Sequence, residues 1–85
     1  MKITLRFFAS VREQLGTSQE EVNLPAGVAT VGAVRVHLQQ RGGVWAGALG
    51  DDKSLRTAFN HVMCDPGTAI EDGGEVAFFP PVTGG

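Results

Sequence analysis

Polar and apolar residues alternate along Lys2-Ile3-Thr4-Leu5-Arg6-Phe7, which puts Ile3, Leu5 and Phe7 on one face of a first strand. Ser10-Val11-Arg12-Glu13 has the spacing of a capping box, so a short helix is expected there, closed by Gly16. A second strand is expected over residues 19–24, with Val22 and Leu24 turned inward and Pro25-Ala26-Gly27 ending it. Thr30 is the expected N-cap of the main helix, in which Val31, Val34 and Leu38 recur at i, i+3 and i+7 and define one buried stripe. Gly32 weakens the first turn, and Gly42-Gly43 stops the helix with Arg41 near its negative end. Val44 to Leu49 reads as a further helical turn that brings Trp45 over Leu49. Phe59 to Cys64 has strand composition, and either of its faces could be the buried one. Asp65-Pro66-Gly67 and Asp72-Gly73-Gly74 are turns. Glu75 to Phe79 is the last strand, with Val76 and Phe78 on the face opposite Ala77 and Phe79.

One amphipathic helix laid across one face of a mixed sheet, with short helical inserts, satisfies every apolar stripe in this order. The expected class is α+β, and the ubiquitin-like β-grasp arrangement fits, although periodicity alone does not separate it from other small α+β folds. Residues 1–79 would form the domain and residues 80–85 an extended tail.

A chain of 85 residues holds one small domain and builds an enclosed catalytic pocket with difficulty, which favours a carrier or binding role. Seven Lys and Arg against nine Asp and Glu give a formal charge of −2, and no basic cluster suits a nucleic-acid backbone. No apolar run approaches a membrane span, and Met1-Lys2 leads into an alternating pattern rather than a signal peptide, so the expected compartment is the cytoplasm. Cys64 is the only cysteine and reads as a small apolar filler. His37 and His61 have no second ligand at metal-binding spacing, so neither a metal nor any other bound cofactor is expected.

After Phe79 the pattern changes to Pro80-Pro81-Val82-Thr83-Gly84-Gly85. The prolines enforce extended geometry and remove two backbone donors, which makes a stiff exit from the last strand. Gly84 and Gly85 carry no side chain, so reactants can approach a terminal carboxyl carbon closely. Such a carboxylate has a reference pKa of about 3.3–3.7 and is a poor electrophile until it is activated. Nothing in the chain supplies that activation, so an ATP-using partner is implied.

Asp72-Gly73-Gly74-Glu75-Val76-Ala77-Phe78-Phe79-Pro80-Pro81-Val82-Thr83-Gly84-Gly85 resembles the C-terminal signature of the molybdopterin synthase small subunits (MoaD type), a ubiquitin-like sulfur-carrier family. Phe7-Phe8-Ala9-Ser10-Val11-Arg12-Glu13-Gln14-Leu15-Gly16, Thr30-Val31 and Phe59-Asn60 match the same family in place, so the resemblance spans nearly the whole chain. It implies that an adenylating enzyme related to ubiquitin-activating enzymes loads Gly85 with AMP. A sulfur donor protein then converts Gly85 to a thiocarboxylate. The tail next enters the large synthase subunit, which holds the catalytic residues, and passes sulfur to cyclic pyranopterin monophosphate; the assembly is a heterotetramer. Gly84 is the slim neighbour that permits entry, and Pro80, Pro81, Val82 and Thr83 line the path. Phe79, outward by strand parity, is the candidate partner anchor, joined by Phe7 or Phe8; its folding back over a loop fits the sequence equally well. Gly74 and Gly32 depart from the family pattern, with an expected effect on stability rather than chemistry. A carrier for thiazole or tRNA thiolation, a ubiquitin-like modifier, and an interaction module without tail chemistry are the alternatives.

Overall fold

The computed structural model describes residues 1–81. The chain runs β1 (Lys2–Phe7), α1 (Ala9–Leu15), β2 (Gln19–Asn23), α2 (Val31–Gln39), α3 (Gly43–Ala48), β3 (Arg56–Phe59), β4 (Val62–Cys64) and β5 (Glu75–Phe79). The five strands form one mixed sheet in the order β2-β1-β5-β3-β4. β1 and β5 are parallel neighbours at its centre, with Leu5 opposite Val76 and Phe7 opposite Phe78. The other pairings are antiparallel.

Alternation along β1 and β5 sends Ile3, Leu5, Phe7, Val76 and Phe78 to the helix side of the sheet. There they meet the α2 stripe of Val31, Val34 and Leu38, together with Val11, Leu24, Leu49 and Ile70, in one buried cluster. Thr30 caps α2 as its sequence position predicts, its Oγ1 accepting from the Ala33 N–H at 3.1 Å. Arg35 then reaches out of α2 to donate through Nε to the Leu49 carbonyl at 2.9 Å and through Nη2 to that of Lys53 at 2.9 Å. That fork ties the loop after α3 to the main helix and satisfies carbonyls that the helix end leaves open.

Two local expectations fail. The Ser10–Glu13 capping box does not form: α1 begins at Ala9, its N-cap is Phe8, and no side chain caps it. The Phe8 N–H still bonds to the sheet, at 3.2 Å from the Phe78 carbonyl, while the Phe8 carbonyl already accepts from Val11. The helix therefore starts two residues before Ser10 could cap it. The single strand expected over residues 59–64 is instead the β3–β4 hairpin, with Phe59 opposite Val62. Asn60 and His61 make its turn at φ +49° and +68°. A two-residue turn with both centres left-handed suits the twist of a hairpin, and Asn tolerates that region better than most residues. The hairpin also settles which side is covered: Thr57 and Phe59 face the helices, and Ala58 faces away.

Gly32, expected only to weaken α2, has a packing reason. A Cβ there would lie 3.0 Å from both Cβ and O of Pro66, whose carbonyl accepts the Gly32 N–H at 2.8 Å. The glycine lets the loop after β4 rest on the first turn of the helix.

Candidate functional site

The sheet's outer face, turned away from α2, carries the remaining alternate residues. Strand parity gives it Arg6 from β1, Phe8 just beyond the end of that strand, and Ala77 and Phe79 from β5. Register adds Arg56 opposite Phe79, Ala58 opposite Ala77, and Met63 opposite Ala58. The rings of Phe8 and Phe79 meet edge to face with centroids 6.3 Å apart. Phe8 is 39% exposed and Met63 56% exposed, whereas the small side chains of Ala58 and Ala77 are buried beneath their taller neighbours. The result is an apolar strip on solvent, running to the point where β5 ends.

Charge frames the strip. The Arg6 guanidinium lies over the Phe8 ring, 5.3 Å from its centroid, a cation–π arrangement. Arg6 Nη1 stands 3.7 Å from Glu75 Oε1, and the other Glu75 oxygen is 3.4 Å from His61 Nε2. Arg6 Nε is buried and has no hydrogen-bond partner among the described residues. Arg56 is exposed beside Phe79. Asn60 sets the start of β5: its Oδ1 accepts the Glu75 N–H at 2.9 Å and its own N–H donates to the Glu75 carbonyl at 2.9 Å.

Pro80 is half-buried and Pro81 exposed, so the chain leaves the sheet from between Phe8 and Arg56. The tail roles expected of Val82, Thr83, Gly84 and Gly85 fall outside the described residues. Phe79 stands on the outer face, half-buried, as strand parity predicts. Phe7 does not join it, contrary to its expected place as an interface anchor. It is 1% exposed, stacked on Phe78 with centroids 6.2 Å apart and edge-on to Trp45 at 5.6 Å. A side chain so enclosed has no surface to offer a partner; Phe8 occupies the outer face in its stead. Arg6, Arg56 and Met63 were not singled out from the sequence. Parity along β1 already puts Arg6 outward, but the other two depend on the β3–β4 hairpin.

On the helix side, an open groove of about 520 Å³ is lined by Val31, Arg35, Thr57, Cys64 and Pro66 among others. The Thr57 hydroxyl donates to the Cys64 carbonyl at 3.0 Å, and the Cys64 thiol points at that hydroxyl from 3.7 Å. Cys64 is half-buried against the core and serves as packing. Among the described residues no group of three His, Cys, Asp or Glu side chains could hold a metal ion, and no helix is long and apolar enough to cross a membrane. What the arrangement offers is an exposed apolar face from whose end the chain departs through two prolines.

A sequence profile of the ThiS family matches residues 5–85. The molybdopterin synthase sulfur carrier subunit of Escherichia coli K12 is 47% identical over 83 residues, covering 98% of this chain and 99% of that protein. Its counterpart from Haemophilus influenzae is 43% identical over the same share of both chains. Among solved structures, the Haloferax volcanii HVO 2177 protein superimposes with a TM-score of 0.79 at 33% identity, covering 100% of this chain and 87% of that one. The chain shares that protein's architecture, the ubiquitin-like β-grasp that the element order led one to expect.

Proposed function

Because the chain belongs to the ThiS family, we propose that it is the sulfur carrier subunit of a molybdopterin synthase, working in the cytoplasm. The observation that carries this reading is 43–47% identity to two such subunits along nearly the whole chain. The reacting group is the Gly85 carboxylate. An ATP-using adenylating enzyme of the ubiquitin-activating type converts it to an acyl-adenylate and releases pyrophosphate. Sulfide-level sulfur delivered by a donor protein then attacks the acyl carbon and displaces AMP, leaving a thiocarboxylate. The adenylate is needed because a carboxylate anion repels a nucleophile, whereas AMP is a good leaving group. In the large synthase subunit, whose side chains do the catalysis, the thiocarboxylate sulfur bonds to cyclic pyranopterin monophosphate, and water then cleaves the acyl–sulfur bond and returns Gly85 as carboxylate.

This chain contributes position. Phe8, Phe79 and Met63 form the face that docks on the large subunit, and Pro80 and Pro81 make the stiff exit from β5 that leads toward the reacting Gly85. Aromatic anchors beside a stiff exit lower the ordering cost of inserting the tail.

The test is an intact-mass spectrum after incubation with ATP, a sulfur source and the host's adenylating enzyme. The expected gain is replacement of one oxygen by sulfur, localised to the terminal peptide and missing in a variant lacking Gly85 that melts at the wild-type temperature. Failure to gain sulfur, with an adenylating enzyme active on another carrier, would rule out the carrier chemistry.

A further inference from the structure

We infer that Arg6 and Arg56 are the specificity residues of the outer face, and that they select a carboxylate-bearing surface on the protein that receives the tail. The inference rests on the docking role proposed above and adds the chemistry of the partner. Arg6 is held in the apolar strip by its stacking on Phe8, yet its donors are poorly used. Its Nε has no partner among the described residues, and its nearest carboxylate, at 3.7 Å, is shared with His61. About a third of the Arg6 side chain is nevertheless exposed, so a docking carboxylate reaches its terminal nitrogens rather than the enclosed Nε.

Arg56 flanks the strip on the other side, opposite Phe79, exposed and without an ion-pair partner among the described residues. The acidic groups of this face are already engaged, Glu75 with Arg6 and His61, and Glu21 with Lys2 at 3.0 Å. Positive charge is therefore left in excess at the end of the sheet where Pro80 begins. Two planar, permanently charged forks on either side of a pair of rings fit an apolar patch bordered by Asp or Glu, which guanidinium can bind bidentately. Such flanking charges act on encounter rate and on salt dependence, and they reject partners bearing like charge.

The test is titration of the full-length chain into its large subunit at salt concentrations from about 50 to 500 mM, which screen exposed charges progressively. The wild-type Kd is expected to rise about tenfold or more across that range. Arg6→Gln/Arg56→Gln is expected to bind about tenfold more weakly at low salt and to lose most of the salt dependence. Arg56→Gln alone, at an exposed position that does not endanger folding, should show about half of both effects on a logarithmic scale. Phe79→Ala should weaken binding and keep the salt slope. Arginine variants that melt like wild type and bind with unchanged affinity and slope, beside a weakened Phe79→Ala, would overturn the charge selection and leave the docking face standing. A large subunit that does not bind the wild type, or that ignores Phe79→Ala as well, would overturn both.

Discussion

A methyl group added at Gly74 would lie 2.6 Å from Cε1 and Cζ of Phe59 and 3.0 Å from the Glu71 carbonyl. The half-buried Phe59 ring packs on the core and the Glu71 carbonyl belongs to the backbone, so Gly74→Ala is expected to lower stability by about 1–3 kcal/mol, read by urea unfolding. The departure noted at Gly74 is thus a packing requirement, visible only once β3 is known to pass beside the turn before β5. Phe78 and Phe79 show the opposite case, where sequence suffices. Alternation separates them, and the structure buries Phe78 completely while leaving Phe79 on the outer face. Phe78→Ala is expected to cost about 3–5 kcal/mol. Phe79→Ala, which vacates a half-exposed site, should cost about 1 kcal/mol or less, so thermal melts of the two variants separate core from surface. Phe7 was legible by the same rule, since it follows Ile3 and Leu5 on one face. The aromatic doublet Phe7-Phe8 obscured which member turns outward.

At the scale of elements, β1 and β5 have the bounds and faces that their periodicity predicts, and α2 the start and buried face, because each carries a stripe of branched or aromatic residues; α2 ends at Gln39, before the Gly42-Gly43 expected to stop it. Thr30 is part of that legibility: its hydroxyl satisfies one of the open N–H groups of α2. Thr30→Ala is expected to cost about 1 kcal/mol, measured as a lowered urea midpoint, and Thr30→Ser to restore most of it. The elements that escaped are short ones whose limits come from tertiary contacts. β3 and β4 have four and three residues, too few for a period to show. Their turn, Asn60-His61, lacks the glycine that usually marks such a hairpin. Ser10 and Glu13 had the spacing of a cap, but the sheet bond of Phe8 had already decided where α1 starts.

Across the whole molecule, the end of α2 is fastened to the edge strand β2 by Arg41, which donates through Nη1 to Glu20 Oε1 at 3.0 Å and through Nη2 to Oε2. The same guanidinium covers Trp45 at 4.4 Å from the ring centroid, so helix end, α3 and sheet edge share one cation. The hydrogen bonds from Arg41 hold the Glu20 carboxyl below the usual carboxylate range, outweighing the opposing effect of burial. A carboxyl whose folded value is depressed adds stability above its unfolded value and loses that contribution as pH falls through the folded one. Both side chains are about a third exposed, which limits the effect to the order of 0.5 kcal/mol. Glu20→Gln is expected to be less stable than wild type near neutral pH by about that amount, and chemical denaturation at descending pH should show the two converging in acid. This link was not legible in the sequence, where Glu20 and Arg41 lie on different elements and Glu20 reads as a simple edge charge.

The parallel pairing of β1 with β5 has a mechanical side. Tension applied to Met1 and to the far end of Pro81 would pull two side-by-side parallel strands in opposite directions along their length. Their hydrogen bonds would then be loaded together, in shear, instead of opening one after another as in a hairpin peeled from its ends. β5 is also bonded to β3 on its other flank, which spreads a pull over a second row of bonds. A segment drawn into a narrow channel through Pro80 and Pro81 would thus be anchored in the strand best placed to bear the load, and the domain would follow its tail intact.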